Sequence, residues 1–248
     1  MAKLILEICV DSLESVVAAS RGGADRIELC ANLIIGGTTP TESFIKKSLE
    51  VTDTPLNIMI RPRFGDFCYS DFELEVMEAE IKSAKNLGVN GVVFGVLLPD
   101  GNLNVPAMKR LRDAAGDMEC TLHRCFDVCA DAKTALEDAI EIGMTTILTS
   151  GQEADCITGV ENLKKINEWA KGRIDIMAGA GLKTQYIKEI YEKAGITSFH
   201  MSAKERVTSP MIYKNEKVHM GLPGFSEYEK DLCKEELVAE AKAVIKNR

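Results

Sequence analysis

Short apolar runs of four to seven residues alternate along the chain with longer stretches in which apolar residues recur every three or four positions. One junction repeats: Gly23-Ala-Asp-Arg-Ile-Glu-Leu, Gly88-Val-Asn-Gly-Val-Val-Phe, Gly143-Met-Thr-Thr-Ile-Leu-Thr and Gly195-Ile-Thr-Ser-Phe-His-Met. In each, a glycine able to take the left-handed conformation closes a helical stretch; one apolar residue, a polar turn and a short strand follow. The intervals between these glycines are long enough for two βα units, so the junctions mark alternate strands. The intervening strands are read at Leu4–Val10, Leu56–Ile60, Glu119–His123 and Asp175–Ala178. Between strands, Phe72–Leu87 sets Met77, Ile81 and Ala84 on one helical face. Thr41 is placed to cap a helix from Glu42, and Asp131 one running through Glu141.

The pattern predicts a single-domain (β/α)₈ TIM barrel over residues 1–248, its strands buried on both faces. An open doubly wound sheet would have fewer strands and a glycine-rich phosphate loop after the first, and neither appears. After the eighth strand, residues 203–231 lack an apolar period and contain Pro210, Gly221, Pro223 and Gly224. This stretch is read as a long loop leaving the catalytic face, either a surface wrap or dimer contact or a lid. A helix from Leu232 to the end closes the barrel.

Length agrees with this picture: 248 residues match one barrel of about 250. A net charge of −8 argues against general nucleic-acid or anionic-membrane binding, which needs a basic face. The eight cysteines are dispersed through a medium-sized chain, unlike a secreted disulfide scaffold. The N-terminus enters a strand without a signal-peptide apolar region, and no apolar run approaches the roughly 18 residues of a membrane span. A cytoplasmic protein with reduced thiols is expected.

Barrel sites lie at the C-terminal strand ends, and charges there need a partner or a use. Strand one ends with Glu7 and Cys9, and strand two with Glu28 and Cys30, each pair two residues apart and so on one face. Strand three carries Arg61 and Arg63, strand five His123, Arg124 and Asp127, and strand eight His200 and Ser202. One reading is a structural ion-pair network. The other is a pocket for a small anionic ligand clamped by Arg61 and Arg63, with Glu7, Glu28, His123 and Asp127 as candidate acid–base groups. Small-residue turns at Thr149-Ser150-Gly151 and Ala178-Gly179-Ala180-Gly181 could bring backbone N–H groups to such a ligand, or serve turn geometry alone. Cys9 and Cys30, at matching depth on adjacent strands, could share one soft ion or be small apolar fillers. There is no HExxH, P-loop, GxSxG or paired CxxC, and no organic cofactor is indicated.

Taken together, Leu6-Glu-Ile-Cys9, Gly23-Ala-Asp-Arg-Ile-Glu-Leu-Cys30, Gly36-Gly-Thr-Thr-Pro40, Met59-Ile-Arg-Pro-Arg63, Gly65-Asp-Phe-Cys-Tyr-Ser70, His123-Arg-Cys-Phe-Asp127, Leu148-Thr-Ser-Gly151, Ile176-Met-Ala-Gly-Ala-Gly181 and the loop around Ser209-Pro-Met211 resemble the CutC family of copper homeostasis proteins. The resemblance covers nearly the whole chain. Phe64 stands where a glycine is expected, and Thr38 where the family usually has an apolar residue. The resemblance implies a (β/α)₈ barrel and cytosolic Cu(I) binding with Cys9 and Cys30 as ligands, and it adds Asp66 to the ligand-binding candidates. The matching motifs are mainly Arg, His, Asp, Glu and Gly, which suit an anionic organic substrate better than a soft metal. The alternative is therefore an enzyme acting on a small phosphorylated or carboxylated metabolite. A homo-oligomer is expected under either reading.

Overall fold

The computed structural model describes residues 4–222 and 224–246. Residues 1–3, Pro223 and residues 247–248, the last two of which were expected in the closing helix, lie outside the described residues. Eight parallel strands close into a barrel in sequence order. They are β1 (Ile5–Val10), β2 (Arg26–Leu29), β3 (Leu56–Met59), β4 (Gly91–Phe94), β5 (Glu119–Leu122), β6 (Thr146–Thr149), β7 (Asp175–Ala178) and β8 (Ser198–Met201). β1 pairs with both β2 and β8, which completes the ring. The helices α1 (Leu13–Arg21), α2 (Glu42–Val51), α3 (Asp71–Asn86), α4 (Val105–Ala115), α5 (Ala132–Ile142), α6 (Val160–Ala170) and α7 (Thr184–Ala194) alternate with the strands. The (β/α)₈ barrel read from the repeat is the observed fold.

The local signals act as the sequence suggests. Thr41 caps α2 by accepting from Phe44 N at 3.3 Å, and Asp131 caps α5 from Thr134 N at 2.7 Å. Gly143 ends α5 with φ of 86° and Gly195 ends α7 with φ of 67°, both left-handed. α3 begins one residue earlier than its apolar period indicates. Ser70 and Glu73 form a reciprocal capping box that fixes the start.

Strand alternation then builds two concentric layers. Leu6, Ile8, Val10, Ile27 and Leu29 point outward and join Leu163, Ile166, Ile187 and Ile190 of the helices in one continuous apolar core. The alternate positions face the lumen, and there Glu7, Glu28, Asn57, Thr121, Thr146, Ser198 and His200 are buried. Cys30, Met59 and Val93 form only a small separate apolar cluster inside. Stability therefore resides in the outer annulus, leaving the lumen free to hold polar chemistry.

Residues 203–231 are not a plain loop. β9 (Lys204–Thr208) and β10 (Glu229–Cys233) pair antiparallel, with Lys204 opposite Cys233 and Thr208 opposite Glu229. Most of this ribbon is solvent-exposed, so it carries no apolar alternation for the sequence to display. Its base is tied to α1 by Cys233 N donating to Ser15 Oγ at 3.1 Å. The closing helix α8 (Glu235–Lys246) starts three residues later than read, because Leu232 and Cys233 belong to β10.

Candidate metal and ligand site at the barrel mouth

The C-terminal strand ends enclose a cavity of about 260 Å³, lined among others by Cys9, Glu28, Met59, Arg61, Phe67, His123, Leu148 and His200. A second cavity of about 310 Å³ lies beside the ribbon and shares Cys9, Leu33 and Ser202 with the first. Cys9 thus stands where the two meet.

One wall comes from β1, β2 and β8. In the parallel ladder Cys9 is paired with Glu28, and Glu7 with His200. His200 Nδ1 lies 2.7 Å from Glu7 Oε1, which fixes the ring, while Nε2 is 3.8 Å from Glu28 Oε2. One ligand atom each from Cys9, Glu28 and His200 lie within 4.8 Å of one another. Beneath them Arg26 Nε donates to Glu7 Oε2 at 2.5 Å and its Nη1 to Glu119 at 3.0 Å. Burial opposes ionisation of Glu7, but Arg26 and His200 outweigh it and hold the carboxyl at about 2. Burial also opposes charge on His200; Cys9, Glu28 and Glu7 overcome it, and its pKa lies well above the usual imidazole range. Burial and the nearby Glu7 charge push the Glu28 carboxyl up despite His200. Its Oε2 accepts from Cys30 Sγ at 3.4 Å, and Oε1 is buried without a partner.

The register places the two cysteines at different levels of the ladder. Cys9 faces Glu28 rather than Cys30, which sits beyond the ladder. Cys30 is fully buried and roofed by Gly37; a Cβ there would lie 3.3 Å from its sulfur. Burial and the neighbouring Glu28 raise its thiol pKa far above the ordinary value. The donors that converge are the Cys9 thiol, the Glu28 carboxylate and the His200 imidazole, with the Cys30 thiol beside them against Glu28.

The other wall comes from β3 and β5. Arg61 Nη1 donates to Ile35 O at 3.2 Å and Gly37 O at 3.0 Å, and Nη2 to Gly65 O at 2.9 Å. Its guanidinium lies 5.0 Å from the centre of the Phe67 ring, which in turn lies 4.8 Å from the His123 ring. Burial and the Arg61 charge bring His123 down to about 3, so it is neutral at physiological pH. A neutral imidazole with so low a pKa is a weak base, and what it offers the cavity is hydrogen bonding.

Several candidates do not reach the cavity. Arg63 Nε pairs with Glu73 at 2.6 Å and Nη2 with Asp66 at 3.1 Å, which organises the loop after β3. Arg63 and Asp66 therefore do not form the anion clamp with Arg61. Asp127 is also committed: it accepts from Thr149 Oγ1, from Ser150 N at 2.9 Å, and from Arg124 Nε at 2.7 Å. The turn Thr149-Ser150-Gly151 thus cradles the protein's own carboxylate rather than a ligand. Arg124 lines the cavity, but its Nε is held by Asp127. Gly181 and Ser202 do border the cavity. Gly179 makes room, since a Cβ would lie 2.5 Å from Leu148 Cδ1 and 3.3 Å from His200 Cβ.

Sequence reasoning missed Arg26, Phe67, Met59 and Met201. Arg26 was detectable, being two residues before Glu28 and so on the same face of β2. Phe67 lies in an irregular loop, where no periodicity announces which way a ring points.

Fold and mouth together define a (β/α)₈ barrel with a polar lumen and a cysteine–carboxylate–histidine group at the C-terminal ends of its strands. A model of the CutC family matches residues 4–205, and the chain belongs to that family. A CutC family protein of Bacteroides fragilis is 47% identical over 234 residues, covering 94% of this chain and 93% of its own length. A human protein named copper homeostasis protein cutC homolog is 41% identical over 244 residues, covering 98% of this chain and 89% of its own. Among solved structures, a CutC protein from Streptococcus agalactiae superposes with a TM-score of 0.77 at 30% identity, covering 80% of this chain and 98% of its own. Among the described residues, no helix is long and apolar enough to cross a membrane.

Proposed function

We propose that this protein serves copper homeostasis by binding one copper ion as cargo, in the Cu(I) state, through Cys9, His200 and Glu28. The convergence of those three ligand atoms within 4.8 Å carries the reading. Thiolate is a preferred Cu(I) donor, and imidazole suits copper as well. Glu7 fixes the His200 ring through Nδ1, the outer-shell arrangement usual for ligating histidines, and copper would displace the proton from Nε2 to bind there. Met59 and Met201 line the same cavity and add soft thioether sulfurs within it. The donor set fits copper, with the carboxylate as its one hard member. Membership of the CutC family and the name of the human relative support the same cargo.

A cytoplasmic location belongs to this reading, since all eight cysteines are free thiols and Cu(I) binding uses them reduced. So does a homo-oligomer. Ile212, Tyr213 and Met220, in the segment joining β9 to β10, are 100%, 76% and 83% exposed, apolar surface that a second copy would cover.

The test is an anaerobic Cu(I) titration against a competing chelator. One equivalent should bind, and Cys9→Ser and His200→Gln should each weaken binding at least tenfold. Cys30→Ser should weaken it less, because that thiol is engaged with Glu28 outside the converging group. Binding indifferent to Cys9 and His200, or no stoichiometric binding, would overturn the proposal.

A further inference from the structure

The β3/β5 wall holds a charge without a counter-ion. Arg61 is 6% exposed, and its Nη groups donate to the neutral carbonyls of Ile35, Gly37 and Gly65, with the neutral Tyr69 hydroxyl beside them. A buried guanidinium facing only dipoles is costly unless an anion reaches it. Of its two remaining N–H groups, the one on Nε is buried without a partner. His123 is 4% exposed, and its Nδ1 accepts from Cys125 N–H at 3.2 Å. A neutral ring that accepts at Nδ1 carries its proton on Nε2, and that atom too is buried without a partner. Both side chains pack on Phe67 and line the same cavity of about 260 Å³.

We propose that Arg61 Nε–H and His123 Nε2–H form a two-donor seat for the carboxylate of a small organic acid, whose short carbon chain lies against Met59, Leu148 and Leu182. Two single N–H donors match the two oxygens of a carboxylate. A phosphate brings further charged oxygens that would need further donors, and both Nη1 N–H groups and one on Nη2 are already committed to carbonyls. The seat also explains why a histidine is kept neutral here: an imidazolium beside Arg61 would repel that charge, whereas a neutral Nε2–H donates and leaves one positive charge for one carboxylate. The apolar side chains favour a short hydrocarbon over a polyol. This goes beyond copper binding and does not depend on it. It gives the anionic-ligand alternative a defined place, with His123 rather than Arg63 as the partner of Arg61.

Metal-free protein would be titrated with acetate, pyruvate and inorganic phosphate, following the histidine rings by long-range ¹H–¹⁵N NMR and the melting temperature. Before addition, His123 should show the neutral Nε2–H pattern. Acetate or pyruvate should shift its Nε2 signal saturably and raise the melting temperature. Arg61→Gln and His123→Phe should each weaken that response at least tenfold, and Arg63→Ala should leave it unchanged. Should Arg61→Gln fold poorly, His123→Phe and the wild-type ring signals decide. A proton on Nδ1, no saturable response to either carboxylate, or saturation by phosphate alone would overturn the proposal.

Discussion

The two histidines at the barrel mouth share a residue type and depth of burial but have opposite environments. His200 sits among Glu7, Glu28 and Cys9, and its charged form is favoured. His123 sits beside Arg61 and Phe67, and burial plus that positive charge leave it neutral down to about 3. The difference lies in what neighbouring strands supply. β1 and β2 bring two carboxylates and a thiol, while β3 brings a guanidinium whose partners are backbone carbonyls. The acidic wall is internally compensated by Arg26, as a metal-ligand set needs when it stands ready for a cation. The basic wall is not compensated, which is what an anion seat requires. One cavity therefore offers two chemistries on two sides.

The largest way to break this comparison is to remove the compensation. Glu7→Gln leaves Arg26 with only the half-exposed Glu119 as an acidic hydrogen-bonding partner and frees the His200 ring. Loss of one member of a buried pair costs about 3–5 kcal/mol, and urea unfolding of the variant should show a loss on that scale. A change below about 1 kcal/mol would mean that Arg26 and His200 are satisfied elsewhere.

Next in size is a pH effect from His123. The unfolded ring binds a proton below its ordinary value of 6.5, and the folded ring only below about 3. Between those values the unfolded state holds more protons, so stability is full above the upper limit and falls as pH drops through the window. The slope from this one group approaches about 1.4 kcal/mol per pH unit. His123→Asn should flatten the wild-type stability curve between pH 6.5 and pH 4 by that slope. Parallel curves for the two proteins would remove His123 from the account.

Two glycines sharpen the comparison further. A Cβ at Gly95 would lie 2.2 Å from Cys125 Sγ and 2.9 Å from His123 Cε1, whereas one at Gly179 would press on Leu148 and His200. Each alanine variant should lose about 1–3 kcal/mol from overpacking. Gly95→Ala should impair carboxylate binding with copper binding kept, and Gly179→Ala the reverse. Equal losses of both in either variant would show that the two walls are not independent.

The barrel was legible because apolar spacing and the junction glycines are local properties that the sequence displays directly. The acidic wall was legible in part: Glu7, Cys9 and Glu28 alternate correctly along their strands, and His200 ends the eighth. Which of them meet depends on register between strands, and a sequence carries no register. Cys9 therefore seemed to face Cys30 when it faces Glu28. The basic wall was less legible still. Arg61 and Arg63 are equivalent as symbols, yet one turns inward to three carbonyls and the other outward to Glu73. Asp127 reads as a free carboxylate until the turn after β6 closes on it. The ribbon of β9 and β10 escaped notice because an exposed hairpin buries too little apolar surface to leave a pattern.

The central claim is that copper and the anion seat occupy different walls. It is tested most directly by adding one equivalent of Cu(I) anaerobically to ¹⁵N-labelled protein and recording the ring nitrogens of its three histidines. The account predicts that His200 Nε2 moves to a metal-bound position while the His123 Nε2–H signal stays in place. Movement of His123, or no response from His200, would contradict it.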